Sequence, residues 1–115
     1  MNYERVYNMS VGQVFPLLYA KAERKGRSAA EVTAVIEWLT GYSEAEIQTC
    51  MAEEMSYRQF FAEAPAFHPR AELISGSVCG IKVQEISDPL MKQVRQLDKL
   101  VDELAKGKAL EKVLR

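Results

Sequence analysis

Little in this chain is suited to covalent chemistry. Of its 115 residues only two are cysteine, Cys50 and Cys79, and only one, His68, is histidine. The cysteines are far apart and form no C-x-x-C pair, so no redox motif and no zinc-ligand spacing is present. The default for two such thiols is that both are reduced and buried. Long apolar runs are missing too: none approaches the roughly 20 residues a membrane helix needs. The start, "MNYERVYNMS", has no apolar core of a secretory signal. The expectation is a cytoplasmic protein that does not enter membranes. No cofactor motif, internal repeat or low-complexity tract is found.

What is present is an ordinary globular balance, 48% hydrophobic and 27% charged. The length fits one domain, taken here as residues 1–115. Net charge is −1, but it is segregated. Residues 1–27 carry five Lys/Arg and two Glu, residues 28–67 one Arg and seven Glu, and residues 68–115 nine Lys/Arg and seven Asp/Glu, giving +3, −6 and +2. An acidic middle between basic ends can steer a partner or a second copy.

Four short-range signals mark helix starts: Ser10 with Gln13, Ser28 with Glu31, Ser43 with Glu46, and Ser56 with Gln59. Each pairs a serine N-cap with Glu or Gln three residues on. Apolar residues at helical spacing follow each one, and Gly26 and Gly41 mark stops. Pro16 should kink its helix or delay its start. Asp88–Pro89 opens a longer helix, with Asp as N-cap and Pro at the first position. Along it Leu90, Val94, Leu97, Val101 and Leu104 form an a/d seam over two heptads. Asp102 with Lys106 and Lys99 with Glu103 are expected as i,i+4 pairs. Between these regions "AELISGSVCGIKVQEI" is ambiguous: Gly76 and Gly80 oppose a helix, and Ile81 and Val83 alternate with polar residues. The predicted fold is mainly α, a compact bundle of five to six short helices with a helix-turn-helix-like hairpin around Gly41. A small β segment near residues 78–86 competes there with irregular loop.

Several constellations suggest function. The outline of a helix-turn-helix raises DNA binding, but the second helix carries Glu44, Glu46, Glu53 and Glu54, which phosphates would repel. A packed helical hairpin held by Ile36, Leu39 and Ile47 is the better reading. Nucleic-acid contact would fall to the basic ends: Lys21, Arg24, Lys25 and Arg27, or Lys106, Lys108, Lys112 and Arg115. The bland reading of the first cluster is a solvated helix end that complements its dipole. The stretch Ser75, Gly76, Ser77, Val78, Cys79, Gly80 can present backbone N–H groups to a small ligand, with His68 or Cys79 as reactive partners. It is neither a dinucleotide fingerprint, a P-loop nor a nucleophile elbow, and a tight turn explains it as well. His68, between Phe67 and Pro69, reads more simply as a helix-capping or solvent-facing loop histidine. The aromatics Trp38, Tyr42, Tyr57, Phe60 and Phe61 read as core. The seam Leu90–Leu104 either lies inside the bundle or pairs two copies as a homodimer.

Over nearly its whole length the chain also resembles a family. "YERVYNMSVGQVFPLLYAKAERKGRSAAEVTAVIEWLTGYS", "FFAEAP" and "CGIKVQEISDPLMKQVRQLDKLVDELAKGKALEKVLR" are similar to a bacterial family of small single-domain proteins, domain of unknown function 2200. "WLTGY", "DPLM" and "LDKLVDELAKGK" are its most specific parts. The resemblance implies a free-standing bacterial cytosolic protein and transfers no activity, substrate or catalytic residue. Three functions follow as expectations. The first is a non-enzymatic, self-associating interaction domain. The second is a nucleic-acid-associated protein using its basic ends. The third is a ligand or thiol site at Ser75–Gly80.

Overall fold

The structure, a computed structural model describing residues 3–115, is mainly helical. Helix α1 (Glu4–Tyr7) leads into α2 (Val11–Glu23), α3 (Ala29–Thr40), α4 (Glu44–Ala52) and α5 (Tyr57–Ala62). A 3-10 turn at Pro69–Leu73 precedes a hairpin of β1 (Ser77–Val78) and β2 (Ile81–Lys82), and a second 3-10 turn follows at Val83–Glu85. Helix α6 (Pro89–Ala105) is the longest element, and α7 (Leu110–Val113) closes the chain. The helix count exceeds expectation because α1 is a single turn, too short to leave a periodic signature; α7 matches the last turn carrying Leu110, Val113 and Leu114 that the sequence suggests.

The serine caps act as their chemistry requires. Ser10, Ser28, Ser43 and Ser56 each accept a bond from the backbone N–H three residues later. Only Ser28 and Ser43 complete the reciprocal box, because only there is the third residue glutamate. Gln59 instead donates to Glu63, 2.7 Å away. Pro16 does not delay α2, which starts at Val11 and runs on through it.

Helix α6 is the organising element. Its buried face, including Val94, Leu97, Val101 and Leu104, meets α2 and α3, and it also supports the hairpin, α5 and α7. Asp88 caps it, accepting from Met91 N–H at 3.0 Å and from the buried Tyr7 hydroxyl at 2.6 Å. That second bond pins α1 to the start of α6. Aromatics fill the core around α5: Phe60 lies edge-on to Phe15 with ring centres 5.1 Å apart and stacks on Tyr42.

The outline helix, short turn, helix is present at α3 and α4, but α4 packs chiefly against α2. Ile36, Leu39 and Ile47 are all fully buried in the shared core. Gly12 allows the approach of α4 to α2. A Cβ there would lie 2.5 Å from the Met51 carbonyl oxygen.

Candidate functional site

Residues Ser75 to Gly80 form the hairpin and its approach. Cys79 and Gly80 are the two central turn residues, with φ of 53° and 77°. Positive φ at both positions is the signature of a type I′ turn, which fits two-residue hairpins. Val78 is buried and Cys79 exposed, so the expectation of two buried thiols is corrected: strand alternation and the turn project Cys79 outward. The Gly76 N–H is occupied by the Gln84 side chain at 3.1 Å, and Lys99 donates to the Ser77 carbonyl at 3.2 Å. His68 lies on another part of the molecule. Its ring stacks on Trp38 with centres 4.0 Å apart. Its Nδ1 accepts from Arg70 N–H at 3.0 Å and its own N–H donates to the Leu39 carbonyl. Among the described residues no hydrogen bond or ring contact joins His68 to Ser75–Gly80.

The seam divides by burial. Val94, Leu97, Val101 and Leu104 are inside the protein's own core and Leu90 is partly buried against it. The face those four residues offer is therefore already covered by α2 and α3.

The two basic ends, roughly eighty residues apart in sequence, come together. Lys21 on α2 pairs with Asp102 on α6 at 3.3 Å. Arg27 donates to the carbonyls of Leu104 and Lys108 at 2.9 and 2.7 Å, closing the C-terminal end of α6 with a cation, as the helix dipole favours. The same guanidinium binds Glu31 through Nε at 3.1 and 3.2 Å. That hydrogen bond, with the backbone bond from Ser28, holds the Glu31 carboxyl down at about 2. Arg24 and Lys25 stay exposed beside this junction.

Next to the junction lies an open cleft of about 730 Å³, between the end of α6 and α7. Lys99, Lys106, Lys108 and Lys112 line it, with Glu103, Gly107 and Ala109. The chain reverses at Gly107, φ 96°, which swings Lys108 and Lys112 back toward the α6 lysines. Two carboxylates organise the cations. Asp102 forms ion pairs with Lys106 at 3.0 Å, Lys21 at 3.3 Å and Lys99 at 3.7 Å. Burial pushes its carboxyl up, but the bonds from Lys106 and Lys21 outweigh this and leave it below the usual range. Glu103, buried, is gripped by both terminal nitrogens of Arg115 at 2.9 and 2.8 Å and by Lys108 at 3.6 Å. The expected Lys99–Glu103 pair is thus corrected: Arg115 folds back onto Glu103, and Lys99 reaches Asp102. Lys112 is exposed and forms no ion pair among the described residues.

At the other end of α2, Glu46, Glu53 and Glu63 surround a hollow of about 310 Å³ beside the Cys50 thiol. Burial, reinforced by those carboxylates, pushes that thiol up, the opposite of an activated nucleophile. Among the described residues no group of three or more His, Cys, Asp or Glu side chains can hold a metal ion, and no helix is long and apolar enough to cross a membrane. Sequence reasoning had found Lys106, Lys108, Lys112 and Arg115 but not the roles of Lys99, Asp102 and Glu103. The spacing of "AKGKALEK" was the available signal; the fold-back that assembles the cleft is tertiary.

No curated protein matches the chain. It is similar to the uncharacterized protein SP1917, whose crystal structure superposes with a TM-score of 0.92 at 45% sequence identity, covering 99% of this chain and 93% of that one. The model of domain of unknown function 2200, described as an uncharacterized protein conserved in bacteria, matches residues 5–115. The chain belongs to this bacterial family.

Proposed function

We propose that the protein is a non-enzymatic interaction domain that docks an anionic partner at its basic end. The observation that supports this most is the open cleft lined by Lys99, Lys106, Lys108 and Lys112, beside the α6 end that Lys21 and Arg27 bind. Lysines held by Asp102 and Glu103 are partly preorganised, which lowers the entropy of ordering them on binding. Cys50 and His68 support the non-enzymatic part. Cys50 has a raised pKa, and the His68 ring is engaged in stacking and capping. Self-association is the weaker half of the reading, because most of the heptad seam already serves the monomer core.

A second reading, association with nucleic acid, is favoured by Arg24 and Lys25, exposed beside the junction. In it α4 stays away from phosphates, since Glu44, Glu46, Glu53 and Glu54 are exposed.

Retention on immobilised heparin tests the proposal. Lys106→Gln/Lys108→Gln/Lys112→Gln should elute at clearly lower salt than the unmodified protein, and Lys82→Gln/Lys92→Gln nearly unchanged. Equal shifts for both variants, or no retention at low salt, would contradict a localised docking end. Labelled duplex DNA bound in the same salt-dependent manner and lost on Arg24→Gln/Lys25→Gln would favour the second reading.

A further inference from the structure

We infer that the cleft between α6 and α7 takes a compact chain of phosphates, a tri- or polyphosphate group, in preference to the acidic side chains of a polypeptide. This rests on the reading of the basic end as a docking site and names the chemistry that site selects.

Four features of the lining point this way. The first is what the side chains are: four lysines, one glutamate, a glycine and an alanine. No aromatic ring lines the cleft, so a nucleobase would find no stacking platform. No large aliphatic or aromatic pocket is present to receive the apolar anchor on which peptide docking usually depends.

The second feature is which kind of cation lines the cleft: Lys99, Lys106 and Lys108 are each held by one carboxylate, and Lys112 has no ion pair among the described residues. Arg27 and Arg115 are committed, and the exposed Arg24 does not line the cleft. Arg27 is used by Glu31 and two α6-end carbonyls, and Arg115 by Glu103 and the Val113 carbonyl. The planar forks of these two, which would suit carboxylate and phosphate alike, are spent inside the protein. What faces the cleft is a set of ammonium groups. These act as point charges with three rotatable donors, suited to a tetrahedral phosphate approached from several directions.

The third is charge. Lys21, Lys99, Lys106, Lys108, Lys112 and Arg115 stand against Asp102, Glu103 and Glu111, six against three, which leaves +3 at this end. Both Asp102 and Glu103 are engaged by at least two cations each, so neither presents a bare charge to an incoming anion. A ligand of about three negative charges would neutralise it; a monoanion would be held weakly.

The fourth is size. At about 730 Å³ the cleft lies within the range of small-molecule sites, roughly 300–1,000 Å³, and is too roomy for one phosphate. Gly107 has open space where a Cβ would be, which keeps the rim low between the two lysine-bearing arms.

Calorimetric titration of the full chain with sodium tripolyphosphate, and separately with a capped tetraglutamate peptide of similar charge, tests this at matched low ionic strength. We expect one site for tripolyphosphate, filled at least about tenfold more tightly than any tetraglutamate site. Lys106→Gln/Lys112→Gln should weaken it about tenfold, and Lys82→Gln should not. Circular dichroism checks that the variants fold. Tetraglutamate binding as tightly as tripolyphosphate would overturn the phosphate assignment and leave the docking of an acidic partner standing. Tripolyphosphate binding that ignores the cleft variant would overturn its location. Failure of both ligands to bind would overturn this inference and the reading beneath it.

Discussion

Gly12→Ala is a substitution in which two known effects oppose each other and the geometry decides the sign. Gly12 is the second residue of α2, where alanine is worth up to about 1 kcal/mol by helix propensity. Against this, the new methyl would lie 2.5 Å from the Met51 carbonyl oxygen and 3.4 Å from its carbon. Both are backbone atoms, so no flexible tip can swing aside. To restore ordinary contact α4 must retreat by roughly 1 Å, and overpacking of this kind costs about 1–3 kcal/mol. The retreat also strains bonds that tie the end of α4 to α2. Val11 N–H reaches the Met55 carbonyl at 2.8 Å and Tyr57 N–H the Met9 carbonyl at 2.9 Å, each worth about 1 kcal/mol. We therefore expect a net loss of about 2 kcal/mol. With an unfolding entropy of about 2 cal/mol/K per residue, that lowers the midpoint by roughly 8 °C. Urea unfolding followed by far-ultraviolet circular dichroism measures it directly. A midpoint equal to or above that of the unmodified protein would refute the close α2–α4 approach.

Three further outcomes follow from named contacts. Asp88→Ala removes the α6 cap and leaves the buried Tyr7 hydroxyl unpaired. A loss of about 2–3 kcal/mol in urea unfolding is expected, and Asp88→Asn should recover part of it. Tyr57 is buried and its hydroxyl has no hydrogen-bond partner among the described residues, so Tyr57→Phe should hold or raise the thermal midpoint. A fall of more than about 1 kcal/mol would show that the hydroxyl is bonded. Acid titration should destabilise the fold as pH drops from the ordinary carboxylate range toward about 2. The Glu31 carboxyl is lowered to about 2, and those of Asp88 and Asp102 are lowered too, so each stabilises above its unfolded pKa and loses that contribution as it is protonated. Asp98, raised by burial, works the other way and partly offsets the loss. A stability flat across that interval would contradict these ion pairs.

The parts of the fold written locally were the legible ones. A serine three residues before Glu or Gln, or Asp before Pro, fixes a helix start through bonds within one turn, and α2 to α6 begin where those signals stand. Helix α1 and the 3-10 turn at Val83–Glu85 escaped because three or four residues carry no period. The Ser75–Gly80 glycines signalled a turn correctly, but composition could not reveal that Cys79 and Gly80 occupy a type I′ hairpin. The heptad seam was visible as a stripe. Whether it faced this domain or a second copy depended on where α2 and α3 pack. The candidate site was legible as two basic clusters and illegible as a cleft. Its assembly depends on Arg27 and Lys21 reaching α6 across some eighty residues and on Arg115 folding back onto Glu103.

The central claim is that the basic ends form one anion-docking cleft, and amide chemical shifts of the isotopically labelled protein titrated with tripolyphosphate test it most directly. Lys99, Glu103, Lys106, Gly107, Lys108, Ala109 and Lys112 are expected to move together and saturate, while α4 and the Ser75–Gly80 hairpin stay still. Shifts centred on the hairpin or on α4, or none at all at low salt, would contradict it.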